Sequence, residues 1–114
     1  MRYVYPAIFM KDEDGDCKVL FPDLDLTTDG KVMEEAFLYA KEFLKSYFVY
    51  AEKYDMDYNL PTDFETCKQK NNFADAIMLI DAVVEEKDLK NSAKYFKNWV
   101  LNSWQKKSYM LLSI

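Results

Sequence analysis

The chain has 114 residues, 50% of them hydrophobic, 17% aromatic and 31% charged, with a net charge of −5 and no histidine. That is enough apolar mass for one domain with a core and excludes a disordered chain. The missing His excludes imidazole general bases, Ser-His and Cys-His nucleophile pairs, and metal sites that need imidazole.

Residues 2–10 are rich in aromatic and β-branched side chains and predict a strand; Pro6, with no N–H to donate, favours an edge position or a local irregularity. Residues 11–16 are an acidic turn in which Asp14-Gly15 suits a tight type I′ hairpin. Residues 17–21 return as a second strand, Pro22-Asp23 breaks it, and the alternation over 24–28 predicts a short third strand in meander order. A long helix is expected from Lys31 to about residue 54. Met33, Ala36, Phe37, Ala40, Phe43, Leu44, Tyr47, Phe48, Ala51 and Tyr54 recur at steps of three and four, and Glu34 and Glu35 suit its first turn. After a loop over 55–61, Thr62 or Asp63 can cap a short helix through Lys70 that Asn71-Asn72 ends. Residues 74–84 read as a buried strand, able to enter the sheet parallel to an earlier one through a crossover. The remaining thirty residues predict an amphipathic helix, broken near Asn102-Ser103. Leu89, Ala93, Phe96 and Val100 form its stripe, and Lys87, Lys90, Lys94 and Lys97 line a neighbouring face. Residues 109–114 are too apolar to leave in water and are expected to pack on the body or on a second subunit.

The charge is uneven. Residues 1–84 carry nine cations against seventeen acids, a net −8, and residues 85–114 carry six lysines against three acids, a net +3. An acidic body suits a basic protein partner, and a basic tail suits something anionic. Cys17 and Cys67 cannot form a disulfide framework and lack CxxC spacing, so ordinary reduced thiols and a cytoplasmic setting are expected. No apolar run approaches the roughly 18 residues that span a bilayer, and the first ten residues lack the pattern of a signal peptide, so no membrane role is expected. Asp12, Glu13, Asp14 and Asp16 put Gly15 in the wrong place for an EF-hand loop, so a solvated hairpin is the better reading. Asp23, Asp25, Asp29 and Asp81 raise the question of a two-metal nuclease cluster, but no second acidic strand motif supports one.

Tyr5-Pro6-Ala7-Ile8-Phe9 precedes the acidic turn. Phe21-Pro22-Asp23-Leu24 is followed by Thr28-Asp29-Gly30 and Glu34-Glu35-Ala36, and Ala76-Ile77-Met78-Leu79-Ile80-Asp81 forms the closing strand. In this order and spacing, residues 1–84 resemble the N-terminal domain of the HicB family of bacterial antitoxins. The resemblance implies a partial RNase H-like fold, β-β-β-α-(α)-β, and neutralisation of a small basic HicA-like toxin that degrades mRNA. It also implies, in many members, DNA binding through a separate C-terminal module. The chain differs from the family in having Asp25-Leu26-Thr27 where Pro-Gly-Cys is common and Val32 where a helix-starting Thr is usual. The thirty residues after Val84 are short for a ribbon-helix-helix or helix-turn-helix module of about forty residues.

The expected molecule is therefore an α+β domain over 1–84, a sheet covered by one helix, with a C-terminal helical tail over 85–114. Its expected function is that of a non-enzymatic HicB-like antitoxin with no cofactor and no metal. Asp23, Asp25 and Asp29 are the candidate contacts to the toxin. Phe96, Trp99, Val100 and Trp104 are candidates for self-association into a homo-oligomer, since Trp is enriched at interface hot spots. Lys87, Lys90, Lys94 and Lys97 are candidates for phosphate contact in a DNA-binding regulator of the same fold, the first alternative. An orphan interaction module and a carboxylate-dependent nuclease are the others.

Overall fold

A computed structural model describes residues 1–95. The expected self-association residues Phe96, Trp99, Val100 and Trp104, the phosphate candidate Lys97 and the apolar residues 109–114 lie outside the described residues. In chain order the elements are β1 (Arg2–Lys11), β2 (Cys17–Phe21), β3 (Leu26–Gly30), α1 (Met33–Lys53), α2 (Phe64–Lys70), β4 (Ala76–Val83) and α3 (Glu86–Lys90). The expected α+β class is observed. No helix among the described residues is long and apolar enough to cross a membrane.

The four strands form one antiparallel sheet in the order β3-β2-β1-β4. β1 alternates strictly: Tyr3, Tyr5, Ala7 and Phe9 face α1 and enter the core, and the even residues face the other way. On α1, Ala36, Ala40, Leu44 and Phe48 complete the core from the helix side. The two alanines let the helix backbone lie close to the sheet. Phe48 is the anchor: it stacks on Tyr3 with ring centroids 3.8 Å apart and meets Tyr47 and Tyr58 edge-on. Burying one such aromatic contributes about 2–3 kcal/mol through removal of apolar area from water.

Pro6 sits in a strand with neighbours on both sides, yet its missing N–H costs nothing. Met1 and Val84 exchange bonds across the β1–β4 ladder, so odd residues of β1 point their backbone at β4 and even residues point away. On that other side β2 pairs only from Ile8 onward, leaving Pro6 with no ladder bond to make. Pro6 and Ile8 are nevertheless fully buried on this second face, and Cys67 of α2 is buried as well.

Three expectations are corrected. The first hairpin is not type I′. Asp14 keeps negative φ, Gly15 alone has φ +86°, and the Gly15 amide closes on the Asp12 carbonyl at 3.1 Å, a type I turn followed by a left-handed glycine. The Asp12 carboxylate accepts the amides of Asp14 and Asp16, each at 3.0 Å, and so stabilises this longer turn. The third strand begins at Leu26 rather than residue 24, because the Pro22 turn and the left-handed Asp25 (φ 53°) occupy the intervening residues. β4 is an antiparallel edge strand and not a buried one: the segment between α1 and β4, which carries α2, adds one more reversal of chain direction. In the tail, α3 ends with Asn91 as its C-cap, whose amide and side chain both donate to the Lys87 carbonyl. Asn competes with the helix for its own backbone bonds and interrupts it here; residues 93–95 are helical again, and the expected break near Asn102-Ser103 lies outside the described residues.

The N-terminus of α1 has no side-chain cap. Val32 holds the cap position, and the Glu35 carboxylate accepts the Lys31 amide at 3.1 Å, so neither Asp29 nor Gly30 caps it. Asp63 caps α2 by accepting the Thr66 amide at 3.0 Å. α3 and the residues after it lie on α1: Lys53 donates to the Leu89 carbonyl, and Lys45 pairs with buried Asp88 at 3.4 Å and sits over the Tyr95 ring.

Candidate functional site: an acidic, tyrosine-lined cleft

The β2–β3 connection is built by Pro22, which presets the first central position of a turn that the Leu24 amide closes on the Phe21 carbonyl at 3.2 Å. Asp25 follows in the left-handed region, which Asp tolerates better than most residues. This turn projects Asp23 and Asp25 toward the loop that follows α1. Asn59 of that loop donates its side-chain N–H to the Asp23 carbonyl at 3.0 Å. The Asp23 carboxylate accepts the Thr62 amide at 2.9 Å and the Thr62 hydroxyl at 2.5 Å. From the core side, the Tyr5 hydroxyl donates to the Asn59 carbonyl at 2.6 Å, and burial, first of all, pushes the Tyr5 phenol up to about 12.

The result is an open cleft of about 320 Å³ lined by Pro22, Asp23, Leu24, Asp25, Tyr47, Asp57, Tyr58 and Asn59. Three carboxylates and two tyrosine rings line it, and no cationic side chain does. Such a surface receives Lys or Arg side chains, through charge and through the faces of the rings.

The structure thus brings Asp23 and Asp25 together but sets Asp29 apart. Asp29 lies on β3 opposite Lys18 and lines a separate groove with Met10 and Leu20. It adds Asp57, Tyr47 and Tyr58, which sequence reading did not single out. Tyr47 was legible only as a core-face residue of α1. No local pattern marks Asp57 or Tyr58, because contacts distant in sequence place their loop: the Asn59 and Thr62 bonds to Asp23, the Tyr5 bond to Asn59, and the packing of Tyr58 on Tyr3 and Phe48.

The four aspartates considered for two-metal chemistry do not meet. Asp81 lies on β4, where Arg2 at 2.9 Å, first, and Lys41 at 3.5 Å hold its carboxyl below the usual range. Among the described residues, no group of three or more Cys, Asp or Glu side chains is placed to hold a metal ion. Both cysteines are buried, and burial pushes both thiols up, away from the reactive thiolate. The expected lysine stripe is divided. Lys87 and Lys90 pair with Glu85 and Glu86 beside them, each at 3.7 Å, and Lys94, past the end of α3, lies over the Tyr95 ring at 5.2 Å.

By sequence the chain matches no described protein family and no curated protein. By structure it is similar to a chain of a toxin–antitoxin complex from Streptococcus pneumoniae, with 18% identity and a TM-score of 0.58. That likeness covers 94% of this chain and 99% of the other. The two share a fold.

Proposed function

We propose that this protein is a non-enzymatic, cytoplasmic antitoxin of the HicB type, which neutralises a small basic HicA-like ribonuclease by direct binding and uses no cofactor. The observation that carries the reading is the fold shared, over nearly the whole chain, with a member of a toxin–antitoxin complex. Two further features support it: the net −8 of residues 1–84, and the cleft that gathers Asp23, Asp25 and Asp57 beside two tyrosines. In this reading the cleft takes basic side chains of the toxin, and complementary charge speeds encounter and rejects like-charged competitors. DNA binding through Lys87, Lys90, Lys94 and Lys97 gains no support from the lysines described, two of which already pair with acids.

The test is co-expression with a candidate toxin, a small basic HicA-like protein, scored by growth and by co-purification. Rescue of growth with a stable complex is expected. Weakened rescue is expected for Asp25→Asn with Asp57→Lys; Asn keeps the left-handed backbone at position 25 accessible. Persistent toxicity with no complex would remove the antitoxin reading, and Mg²⁺-dependent RNA cleavage by this chain alone, abolished by Asp23→Asn, would replace it with the nuclease.

A further inference from the structure

Among the described residues β4 ends the sheet, and no strand pairs with its outer side. Because the Met1–Val84 pair sets the phase of the ladder, the even residues of β4 point their backbone groups at β1. The N–H and C=O groups of Ile77, Leu79, Asp81 and Val83 therefore point outward. The opposite edge, β3, is five residues long and carries Asp29, which blunts it. β4 is eight residues long, has no Pro or Gly, and carries one charge, Asp81, which Arg2 and Lys41 already neutralise. Leu79 is 52% exposed on this edge. Beside it, between the first half of α1 and the strand, runs an apolar groove of about 340 Å³ lined by Met33, Glu34, Phe37, Leu38 and Met78, with Leu38 60% exposed.

We propose that this edge joins two copies of the chain, strand against strand and antiparallel, about a two-fold axis at Leu79. Three observations select a second copy as the occupant. The first is register: centred on Leu79, the outward groups of Ile77 meet those of Asp81 on the second copy, Leu79 meets Leu79, and the two aspartates are never opposite one another. The second is charge. Glu34 and Lys41 stand two helical turns apart on the flank of α1 along this groove, with Leu38 between them. A two-fold axis near Leu38 sets each Glu34 against Lys41 of the other copy, whereas a parallel arrangement sets like against like. The third is the placement of apolar surface: Leu79 is open to water at the edge on the face away from α1, and Leu38 is open to water on the α1 side beside Met78, so an axis through the sheet at Leu79 covers apolar surface on both faces. Lys41 now reaches Asp81 at 3.5 Å across the open edge, and it exchanges that carboxylate for Glu34 of the second copy while Arg2 keeps Asp81 paired.

Sedimentation equilibrium of the full chain at about 100 µM, well above a micromolar dissociation constant, tests this. The expected mass is twice 13.5 kDa. Leu79→Lys, at an exposed position, is expected to weaken dimerisation at least about tenfold with an unchanged far-UV circular dichroism spectrum. Glu34→Lys alone is expected to weaken it, and Glu34→Lys combined with Lys41→Glu to restore it, a rescue that damage to the fold would not produce. A monomeric wild type overturns the proposal. So does a dimer indifferent to Leu79→Lys and to the charge exchange, since self-association would then belong to another surface. No toxin enters the measurement, so its outcome is independent of the antitoxin reading.

Discussion

Asp23 is the residue whose type matters most at the proposed site, and most of its carboxylate is spent on structure. With both oxygens held by Thr62, it ties the β2–β3 turn to the loop before α2, which leaves Asp25 and Asp57 as the freer charges of the cleft. Gly30 is required for a reason of space and not of φ, so a side chain there forces a shift. A Cβ there would fall on the Ala36 amide nitrogen and lie 2.8 Å from the Ala36 Cα, both rigid backbone. Gly30→Ala is therefore expected to cost about 1–3 kcal/mol, measured by urea unfolding. Asp88 is a buried carboxylate that accepts from the Glu85 amide at 2.9 Å and the Tyr95 hydroxyl at 2.7 Å and pairs with Lys45. The Glu85 amide first, then Tyr95 and Lys45, hold its carboxyl below the usual range. Asp88→Asn is expected to cost about 2 kcal/mol at neutral pH. The sign of its pH dependence follows: a carboxylate depressed in the folded state contributes fully above about pH 4 and less as pH falls through its lower folded value. The gap between wild type and variant, followed by urea midpoints, should close in acid. The Glu85 bond is local, a capping box three residues long, but the burial of Asp88 and its pairing with Lys45, more than forty residues away, could not be read from its place in the chain.

At the scale of elements, α1 organises the molecule. Its first half covers the sheet with one face and leaves Leu38 and Tyr39 in water, and its second half is also covered on its outer side, where Ser46 and Val49 are buried and α3 and Tyr95 pack. The stripe read at steps of three and four named the sheet-facing residues but not Ser46 or Val49, since burial on a second face depends on an element distant in sequence. Tyr54 fails in the opposite sense: the helix ends at Lys53, and its ring lies mostly exposed. Phe48→Ala should cost about 3–5 kcal/mol, because the stack on Tyr3 and the contacts of Tyr47 and Tyr58 would collapse only partly into the void. That is a large share of a small domain's stability, and thermal unfolding would register it. β4 carries a general lesson about apolar runs. The run over 74–84 resembles a buried strand, yet its Leu79 and Val83 are exposed at an edge. An apolar edge is a feature that proteins usually avoid unless it is covered by something else.

At the scale of the whole molecule, the relevant quantity is the field of the acidic body. If the cleft receives a basic toxin, the association rate should fall with added salt while dissociation changes less, as for steered encounters. Raising ionic strength from about 0.05 to 0.5 M should slow association by about tenfold or more, and Asp57→Asn should reduce both the rate and its salt dependence. Stopped-flow mixing of the purified pair would measure both. A rate indifferent to salt would place the recognition in apolar contact and not in the cleft.

Sequence alone determined the α+β class, the three-strand opening, the central helix with its core-facing alanines and aromatics, and a short α2 capped by Thr62 or Asp63, because each rests on periodicity or a bond within a few residues. Tertiary structure decided the rest: the antiparallel entry and edge position of β4, the separation of Asp29 from Asp23 and Asp25, the arrival of Asp57 and Tyr58 at the cleft, and the second cover over α1. These depend on contacts between segments tens of residues apart, where direction and face are set by packing and by how many times the chain reverses. Local pattern carries no information about either.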